Sequence, residues 1–426
     1  MSPDPGSRAA PAREVVVVGA GAAGLWAAAA CARAGARVLL LEKTRRSGTK
    51  ILASGGTRCN LTTTLEADEA ARLFGSRGER FLRPALRALP PAAVVAHFEA
   101  LGVPCVEAPL DKVFPASQRA RDVRDALLKD ALEAGVEIRY GQAVQGVQPL
   151  EIGGFRVAVE GEGALEAARL LLCPGGQSYP ATGTTGDGYA WLQELGLALV
   201  SPVPALVPLS SPAAWVGELT GIAVQEAEVR LFDEAGRERL RRERPVLFTH
   251  RGLSGPGAMD VSGEVAAAPS PEGFEVVVDL CADLPREELR ALLVDAARAP
   301  GSPRLARALD GRFPRRLVDV VCAQAGVAPN PSMSELRKSG RHDLVESFKG
   351  LRVPVDGTLG FDKAEVTRGG LDLRELDPRS MEVGRYPGLF VFGELLDLDG
   401  PIGGLNFQAA FAGAEQAARR VAALPT

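Results

Sequence analysis

The sequence lacks an excess of positive charge and any long apolar run. Its 426 residues include 49 Lys and Arg against 53 Asp and Glu, a formal net charge of −4. Proteins that bind phosphate backbones ordinarily have a basic face, so we expect no nucleic acid partner. No stretch approaches the roughly 20 apolar residues of a membrane-spanning helix, and no signal-peptide pattern is present. These absences predict a cytoplasmic protein without a membrane partner and leave its oligomeric state open.

Cysteine pairs and histidines are also scarce. The six cysteines are scattered without a CxxC pair, and the histidines are His97, His250 and His342. This spacing does not suit zinc, so we predict no metal site. A Ser-His-Asp triad has no GxSxG motif to support it.

Changes in composition divide the chain into segments. Residues 1–13 show no periodic spacing of apolar side chains, which predicts a disordered leader. Residues 14–195 and 345–426 share buried-strand and helix patterns, which indicates one α/β domain built from both ends of the chain. Residues 196–344 are proline-rich at first, then alternate as antiparallel strands do, and end with helical spacing. We therefore predict an inserted domain with an antiparallel sheet or small barrel.

Residues 19–24, GAGAAG, match the glycine-rich motif of dinucleotide-binding folds. They follow the run EVVVV, open a helical pattern, and precede Glu42 at the end of the next strand. The three glycines permit a tight turn, close approach to a pyrophosphate and close helix packing. Glu42 would accept hydrogen bonds from the adenosine ribose. The predicted contacts are Gly19, Ala20, Gly21, Ala22, Ala23, Gly24 and Glu42.

A second glycine-rich segment, LFVFGELLDLDGPIGGLNFQAA, lies near the C-terminus. A buried strand ends at Gly393 and Glu394, whose carboxylate is suited to ribityl hydroxyls. Gly404 precedes a helix near Asn406, and the N-terminal dipole of this helix would stabilise negative charge on a flavin. Such a late segment is typical of tightly held FAD, which is therefore the predicted cofactor.

The stretch KILASGGTRCN, residues 50–60, follows the second strand and is predicted to run along the dinucleotide toward the flavin. Gly55 and Gly56 would allow the backbone to approach the ring. Lys50 and Asn60 would be polar contacts to phosphate, ribityl or flavin edge. Cys59 has no partner cysteine, metal spacing or adjacent histidine, which argues against a reactive thiol.

Six ordered motifs resemble the YhiN/BaiN-like family of bacterial NAD(P)/FAD-dependent flavoproteins. They are GAGAAGL...LLLEK, KILASGGTRCN, GGQSYPATGTTGDGY, LFTHRGLSGP, GFDKAEVTRGG and GELLDLDGPIGGLN, from about residue 14 to the C-terminus. The resemblance implies an α/β fold, with a Rossmann-like FAD-binding domain split between 14–195 and 345–426. It also implies an inserted β-barrel plus helical domain at 196–344. Thr57 departs from the family, which has a third glycine there.

The resemblance also implies further cofactor contacts. Lys43 would join Glu42 at the ADP half, and the backbone of Val144 would pair with adenine. Gly175 would form a turn near the pyrophosphate, and Leu405 would line the ribityl chain and flavin. For Val144, a strand residue in the core is the alternative.

Two residues are catalytic candidates, Tyr179 as a substrate contact and His250 as a proton donor. Tyr179 lies in GGQSYPATGTTGDGY, which we expect to pack over the flavin, and His250 lies in LFTHRGLSGP of the inserted domain. A proton donor opposite flavin N5 would suit an alkene reductase. For His250 the alternative is a structural hydrogen bond.

The predicted function is FAD-dependent reduction of an unsaturated carbonyl-type small molecule, with NAD(P)H as a transient electron donor. Family members act as reductases of unsaturated oxo-steroids or as aminoacetone oxidases, so a flavin oxidase of a small amine is one alternative. A flavin-dependent RNA-modifying or RNA-binding protein is another, and the lack of a basic face counts against it. No second GxGxxG marks a separate nicotinamide site.

Overall fold

The computed structural model of the chain describes residues 13–424, with side chains from Val15 onward. The predicted leader lies outside the described residues except for Arg13, where the first strand begins. Two compact units are present. Unit 1 comprises the described parts of Met1–Pro202 and Glu365–Thr426, and unit 2 is Val203–Ala364.

The helices and strands follow in chain order. The N-terminal part of unit 1 contains β1 (Arg13–Val18), α1 (Ala22–Arg33), β2 (Val38–Glu42), α2 (Thr49–Ala53), β3 (Thr62–Thr63), α3 (Ala67–Arg72), α4 (Gly75–Ala88), α5 (Pro91–Ala100), β4 (Cys105–Ala108), β5 (Lys112–Pro115), α6 (Ala120–Glu133), β6 (Glu137–Tyr140), β7 (Val144–Pro149), β8 (Phe155–Val159), β9 (Gly163–Leu172), α7 (Asp187–Glu194) and β10 (Leu199–Ala205), whose last residues belong to unit 2. Unit 2 continues with β11 (Leu209–Ser210), α8 (Ala214–Glu218), β12 (Ala223–Val224), β13 (Glu228–Phe232), β14 (Glu238–Glu243), β15 (Val246–Thr249), β16 (Gly252–Ser254), α9 (Gly255–Met259), α10 (Ser262–Ala267), β17 (Phe274–Asp279), α11 (Arg286–Arg298), α12 (Leu305–Ala308), α13 (Arg315–Gln324), α14 (Lys338–Phe348), β18 (Leu351–Val355) and β19 (Gly357–Thr358). The C-terminal part of unit 1 contains β20 (Val366–Leu371), β21 (Leu376–Asp377), β22 (Glu382–Val383), β23 (Leu389–Val391) and α15 (Leu405–Ala423).

A parallel sheet forms the centre of unit 1. Its five parallel strands have the order β23-β9-β1-β2-β6, and Val17 in β1 pairs with Leu40 on one side and Leu171 on the other. Val15, Val16, Val17 and Val18 of β1 are all buried, as expected for a parallel strand with apolar side chains on both faces. Strands β7, β8 and β9 form an antiparallel extension. The predicted α/β, Rossmann-like fold is confirmed.

Helices from both ends of the chain pack together over this sheet. The Trp26 ring of α1 lies 4.9 Å from the Phe411 ring of α15, and its indole N–H donates to Glu415 Oε2 at 3.0 Å. Helix α1 is rich in alanine and buried along most of its length, which allows its backbone to approach both the sheet and α15. Unit 1 is therefore one fold assembled from two distant segments.

Unit 2 contains two antiparallel sheets with helices. One sheet has the order β12-β15-β16-β11-β19, and the other has the order β14-β13-β17-β18. Among the described residues, the strand pairing closes neither sheet on itself, so the predicted β-barrel is corrected to two open sheets. The predicted limits of the insertion, 196 and 344, also differ from those of unit 2. Strand β18, which the prediction gave to the FAD-binding domain, pairs with β17 through Val276 and Val353.

Candidate functional site

The glycine-rich turn between β1 and α1 has distinct surroundings at its second and third glycines. A Cβ atom added to Gly24 would lie 1.8 Å from the Gly19 carbonyl oxygen, so this position has no room for a side chain. A Cβ atom added to Gly21 would meet no protein atom within 4 Å. Gly21 therefore borders open space at the helix start, where the backbone N–H groups of a first turn have no intrahelical partner.

Glu42, at the end of β2, is held against this turn. Its carboxylate accepts hydrogen bonds from the Ala20 N–H and the Thr44 N–H, both at 2.8 Å. The neighbouring Lys43 donates to the side chains of Thr185 and Asp187, in the loop that leads into α7 and at the start of α7. The predicted ADP-binding residues thus lie next to one another at the carboxyl edge of the sheet.

Val144 begins a strand beside the same edge. The Gln142 N–H donates to the Glu42 carbonyl oxygen at 2.9 Å, which places the start of β7 near the end of β2. The Val144 side chain is buried and pairs with Val159 in β8. The Val144 side chain therefore belongs to the core, which was the alternative prediction for this residue, while its backbone lies near Glu42.

Lys50 on the short helix α2 reaches the C-terminal segment of the chain. The turn before α2 is fixed because the Gly48 N–H donates to the Ala20 carbonyl oxygen at 2.8 Å. Lys50 Nζ donates to Ser178 Oγ at 2.6 Å and to Glu394 Oε2 at 2.6 Å. Two residues that the sequence assigned separately to the cofactor are therefore brought into direct contact.

Lys50, Ser178, Thr367 and Glu394 form a polar cluster that we call the polar cradle. Glu394 Oε1 accepts from Lys50 Nζ, Ser178 Oγ, and both the N–H and the hydroxyl of Thr367. Glu394 Oε2 accepts from Lys50 alone among these groups. Ser178 and Thr367 are fully buried, whereas Lys50 and Glu394 remain partly exposed. One carboxylate oxygen of Glu394 thus has capacity for a further donor.

The loop after α2 has left-handed backbone at Gly55, Gly56, Thr57 and Cys59, with φ values between 54° and 67°. A Cβ atom on Gly55 would lie 2.9 Å from the Asn60 nitrogen, and one on Gly56 would meet nothing within 4 Å. Cys59 is fully buried, and burial raises the pKa of its thiol to about 12. Its thiol is therefore protonated at neutral pH, in agreement with the argument against a reactive cysteine.

Both predicted asparagine contacts bind backbone groups within unit 1. Asn60 Oδ1 accepts from the Val113 N–H at 3.1 Å, which connects this loop to β5. Asn406 accepts from the Gly400 N–H at 2.9 Å and donates to the Gly400 carbonyl oxygen at 2.8 Å. These side chains hold the loops in shape, and their direct contact with a cofactor stays a prediction.

The start of α15 lies against β3. Gly404 has φ 81°, and a Cβ atom on it would lie 2.1 Å from the Thr62 carbonyl oxygen. The side chain of Leu405 is buried, so only its backbone is suited to a polar ligand. A Cβ atom on Gly393 would be 3.4 Å from that of Ala23. The late glycine-rich segment thus reaches the first turn of α1.

The remaining predicted residues are Gly175, Tyr179 and His250. Gly175 has φ 87°, and a Cβ atom there would contact the Thr184 side chain at 2.7 Å. Tyr179 follows Ser178 of the polar cradle, has φ 53° and leaves 38% of its surface exposed. His250 is exposed in the turn between β15 and β16 of unit 2. Tyr179 is therefore adjacent in sequence to the cradle, whereas His250 belongs to the other unit.

The residues of unit 1 fit a dinucleotide cofactor. The open space at Gly21 suits a pyrophosphate, the Glu42 carboxylate suits ribose hydroxyls, and Lys50 supplies a cation. Glu394 Oε2 can accept from a ribityl hydroxyl. Together these groups extend from the first turn of α1 to the polar cradle. In the described part of the chain, no group of three or more His, Cys, Asp or Glu side chains has the arrangement to hold a metal ion.

Residues 13–420 match the family described as HI0933-like protein Rossmann domain. The chain belongs to this family. The resemblance to YhiN/BaiN-like flavoproteins is confirmed, and the chain is an FAD-dependent oxidoreductase, as predicted. None of the helices within residues 13–424 combines the length and apolar character needed to cross a bilayer.

Three known proteins illustrate the similarity. The chain is 32% identical over 404 residues to the ribosomal RNA dihydrouridine synthase of Escherichia coli K12, covering 94% of this chain and 96% of that one. It is 31% identical over 415 residues to the 3-dehydro-bile acid delta(4,6)-reductase of Clostridium scindens, covering 96% and 99%. A solved 3-ketosteroid delta1-dehydrogenase from Sterolibacterium denitrificans superposes with a TM-score of 0.52 at 15% identity, covering 97% and 100%, which shows the shared fold.

Three residues near the site were not assigned from sequence. Ser178 and Thr367 complete the polar cradle, and Tyr189 on α7 is buried near Thr367 and Glu394. Ser178 lies within GGQSYPATGTTGDGY and Thr367 within GFDKAEVTRGG. Both motifs supported the family resemblance, but no spacing rule indicated that these hydroxyls meet Glu394.

Proposed function

We propose that the chain reduces a carbon–carbon double bond conjugated to a carbonyl group, with electrons from NAD(P)H delivered through FAD. The observation that carries this proposal is a chemical feature common to the two differently named relatives. A delta(4,6)-reductase of a 3-dehydro-bile acid and a dihydrouridine synthase both saturate such a bond. The reaction class that we predicted from sequence, reduction of an unsaturated carbonyl compound, includes both.

The bound flavin would supply hydride transfer at N5, and the protein would supply positioning and charge. In this proposal Gly19–Gly24 and Glu42 hold the ADP half, while Lys50 and Glu394 hold the phosphate and ribityl region. The start of α15 at Leu405 supports negative charge on the reduced ring through its dipole. A hydride added to the β-carbon of the substrate leaves an enolate, so a proton must be delivered at the α-carbon. Tyr179 is our first candidate for this proton donor, and His250 is the second.

A small-molecule enone is the first candidate substrate, as the sequence predicted. A uracil base in ribosomal RNA is the second, and it is favoured by the relative with 32% identity across nearly both full chains. This second candidate would reverse our expectation that nucleic acid is not a partner, which rested on the net charge of −4. The cytoplasmic location that we predicted is compatible with either substrate.

An anaerobic half-reaction experiment tests the proposal. The purified protein with FAD is first reduced with NADH or NADPH, and the bleaching of the flavin absorbance is recorded. A conjugated 3-oxo-4,6-diene steroid or unmodified ribosomal RNA is then added, with the saturated steroid and pre-reduced RNA as controls. Reoxidation by one acceptor, together with mass spectrometry of the saturated product, would support the proposal and identify the substrate class.

The opposite result is equally clear. If reduced flavin is reoxidised only by oxygen, and an amine substrate reduces it in place of NAD(P)H, the reductase proposal is wrong. The flavin oxidase alternative would then replace it.

A further inference from the structure

The Arg58 side chain is an exposed cation in the loop that we predict to run along the flavin. The positive charges of residues 50–60 are those of Lys50 and Arg58. Lys50 is paired with Glu394 at 2.6 Å, which neutralises its charge. Arg58 is exposed and forms no ion pair with a carboxylate of the described residues. Its charge is therefore available to a ligand.

Two contacts fix the direction of the Arg58 guanidinium. Its Cζ atom lies 4.6 Å from the centre of the Phe114 ring, and its Nε–H donates to the Gly55 carbonyl oxygen at 3.3 Å. Phe114 is itself buried, and a Cβ atom on Gly55 would lie 3.4 Å from its ring. A planar guanidinium held on an aromatic face is preorganised, so little further side-chain freedom is lost when its Nη groups donate to a ligand.

The backbone of the loop turns Arg58 outward. Thr57 and Cys59, on either side of it, have left-handed backbone with φ 67° and 61°. The Cys59 side chain is buried, whereas Gly56, Thr57 and Arg58 are exposed. A Cβ atom on Gly56 would meet no protein atom within 4 Å. The exposed side of the loop therefore carries both the guanidinium and a glycine that we predict to approach the flavin ring.

Arg58 and the start of α15 are connected through one small sheet. Phe114 lies in β5, where the preceding residue Val113 pairs with Thr62 of β3. A Cβ atom on Gly404, directly before α15, would lie 2.1 Å from the Thr62 carbonyl oxygen. The first turn of α15 carries a partial positive charge. We therefore expect the guanidinium and the helix to favour negative charge at the same end of the site.

We propose that Arg58 is a catalytic residue that binds the carbonyl oxygen of the unsaturated substrate. This assignment rests on the proposed function, because it requires a conjugated carbonyl compound as electron acceptor. Hydride addition at the β-carbon, with two electrons from reduced flavin, shifts the electron pair of the double bond onto the carbonyl oxygen. Protonation of the α-carbon then returns that pair to carbon. A guanidinium that donates to the oxygen stabilises the charge as it develops.

The test separates the two half-reactions. Reduced protein is mixed anaerobically with the acceptor that the wild type reduces, the 3-oxo-4,6-diene steroid or unmodified ribosomal RNA, and the flavin absorbance is followed. At saturating acceptor, Arg58→Gln should reoxidise its flavin about a hundredfold more slowly, as for the loss of one oxyanion donor. Arg58→Lys should recover about tenfold of this loss, because it keeps the charge without the planar fork. Flavin reduction by NAD(P)H and FAD affinity, measured by quenching of flavin fluorescence, should stay within about twofold of the wild type.

Arg80 on α4 provides the matched control. It is exposed, its Nε–H donates to the Ser76 carbonyl oxygen at 3.1 Å, and it too forms no ion pair within the described part of the chain. Arg80→Gln removes the same charge from unit 1 and should leave both half-reactions unchanged. Because both arginine side chains are exposed, we expect both Gln variants to fold and to bind FAD.

Two results would overturn the assignment. One is reoxidation of Arg58→Gln at the rate of the wild type and of Arg80→Gln. The other is an equal loss in flavin reduction or in FAD affinity, which would show that Arg58 contacts the cofactor or holds the loop. A wild-type protein whose reduced flavin is reoxidised by neither acceptor would contradict the proposed function itself, and the role of Arg58 would fall with it.

Discussion

Lys50 Nζ lies 2.6 Å from Glu394 Oε2, although the two residues are 344 positions apart in the chain. About a quarter of the Lys50 side chain and a fifth of the Glu394 side chain are exposed. The pair therefore joins the segment after β2 to the segment before α15. Because both side chains are partly desolvated, each charge is stabilised by the opposite charge of its partner.

A double-mutant cycle should detect this dependence. Lys50→Met and Glu394→Gln should each lower the free energy of unfolding of the flavin-free protein, because the remaining group loses its partner. The double variant should lose less than the sum, with a coupling of about 1 kcal/mol for a half-buried pair. Urea unfolding gives the four values, and additivity within about 0.3 kcal/mol would contradict the prediction.

Gly21 and Gly24 should separate cofactor binding from folding. Gly21 has φ −79° and open space around its missing side chain, so Gly21→Ala should leave the free energy of unfolding within about 0.5 kcal/mol of the wild type. Its methyl group would occupy the space near a pyrophosphate, so FAD affinity should fall at least about tenfold. Gly24→Ala should instead destabilise the protein by about 3 kcal/mol, because its Cβ would overlap the Gly19 carbonyl oxygen.

Urea unfolding and flavin titration of both variants provide the comparison. If Gly21→Ala binds FAD as the wild type does, the pyrophosphate does not approach this glycine, and the assignment of the turn fails.

Thr57 is a β-branched residue with φ 67°, a backbone conformation that such residues rarely adopt. The strain is about 1 kcal/mol, and glycine would relieve most of it. Thr57→Gly should therefore raise the free energy of unfolding by about 0.5 kcal/mol, after allowance for the greater freedom of glycine in the unfolded chain. Ala53→Gly is the control, since Ala53 has ordinary helical angles and should lose about 1 kcal/mol. Equal losses in both variants would show that Thr57 is not strained.

Cys59 should make the protein less stable at alkaline pH. Burial raises its folded pKa to about 12, whereas an unfolded thiol has a pKa of about 8.5. The unfolded state therefore loses its proton first, and stability falls by about 1.4 kcal/mol per pH unit above about pH 8.5 from this thiol. Cys59→Ala should show a shallower decline in the free energy of unfolding between pH 8.5 and 10. Identical slopes for variant and wild type would contradict the buried thiol.

The sequence predicted the β1-α1-β2 segment of unit 1 well because its signals are local. A buried apolar run, three spaced glycines and a carboxylate at the next strand end are all visible within a few tens of residues, as at Gly19 and Glu42. The same local logic indicated that Gly404 opens the last helix, which begins at Leu405.

The polar cradle could not be predicted in this way. Ser178, Thr367 and Glu394 come from three separate segments, and only the strand order β23-β9 and the path of β20 bring them together. The prediction of a β-barrel in the inserted domain was wrong for a related reason. Alternating segments identify antiparallel strands, but whether the sheet closes depends on pairing between distant strands, and β18 joined a sheet that the predicted boundary excluded.

The proton donor of the proposed reduction can be identified by measuring the two half-reactions separately. Tyr179→Phe should leave flavin reduction by NAD(P)H unchanged, because hydride transfer into the flavin needs no proton from this phenol. Transfer from reduced flavin to the conjugated acceptor should slow by about a hundredfold, the lower end of general-acid contributions. His250→Gln is the matched comparison, since it removes the second candidate from unit 2. Anaerobic stopped-flow absorbance measures both steps, and a slow second step in the His250 variant alone would transfer the role to His250.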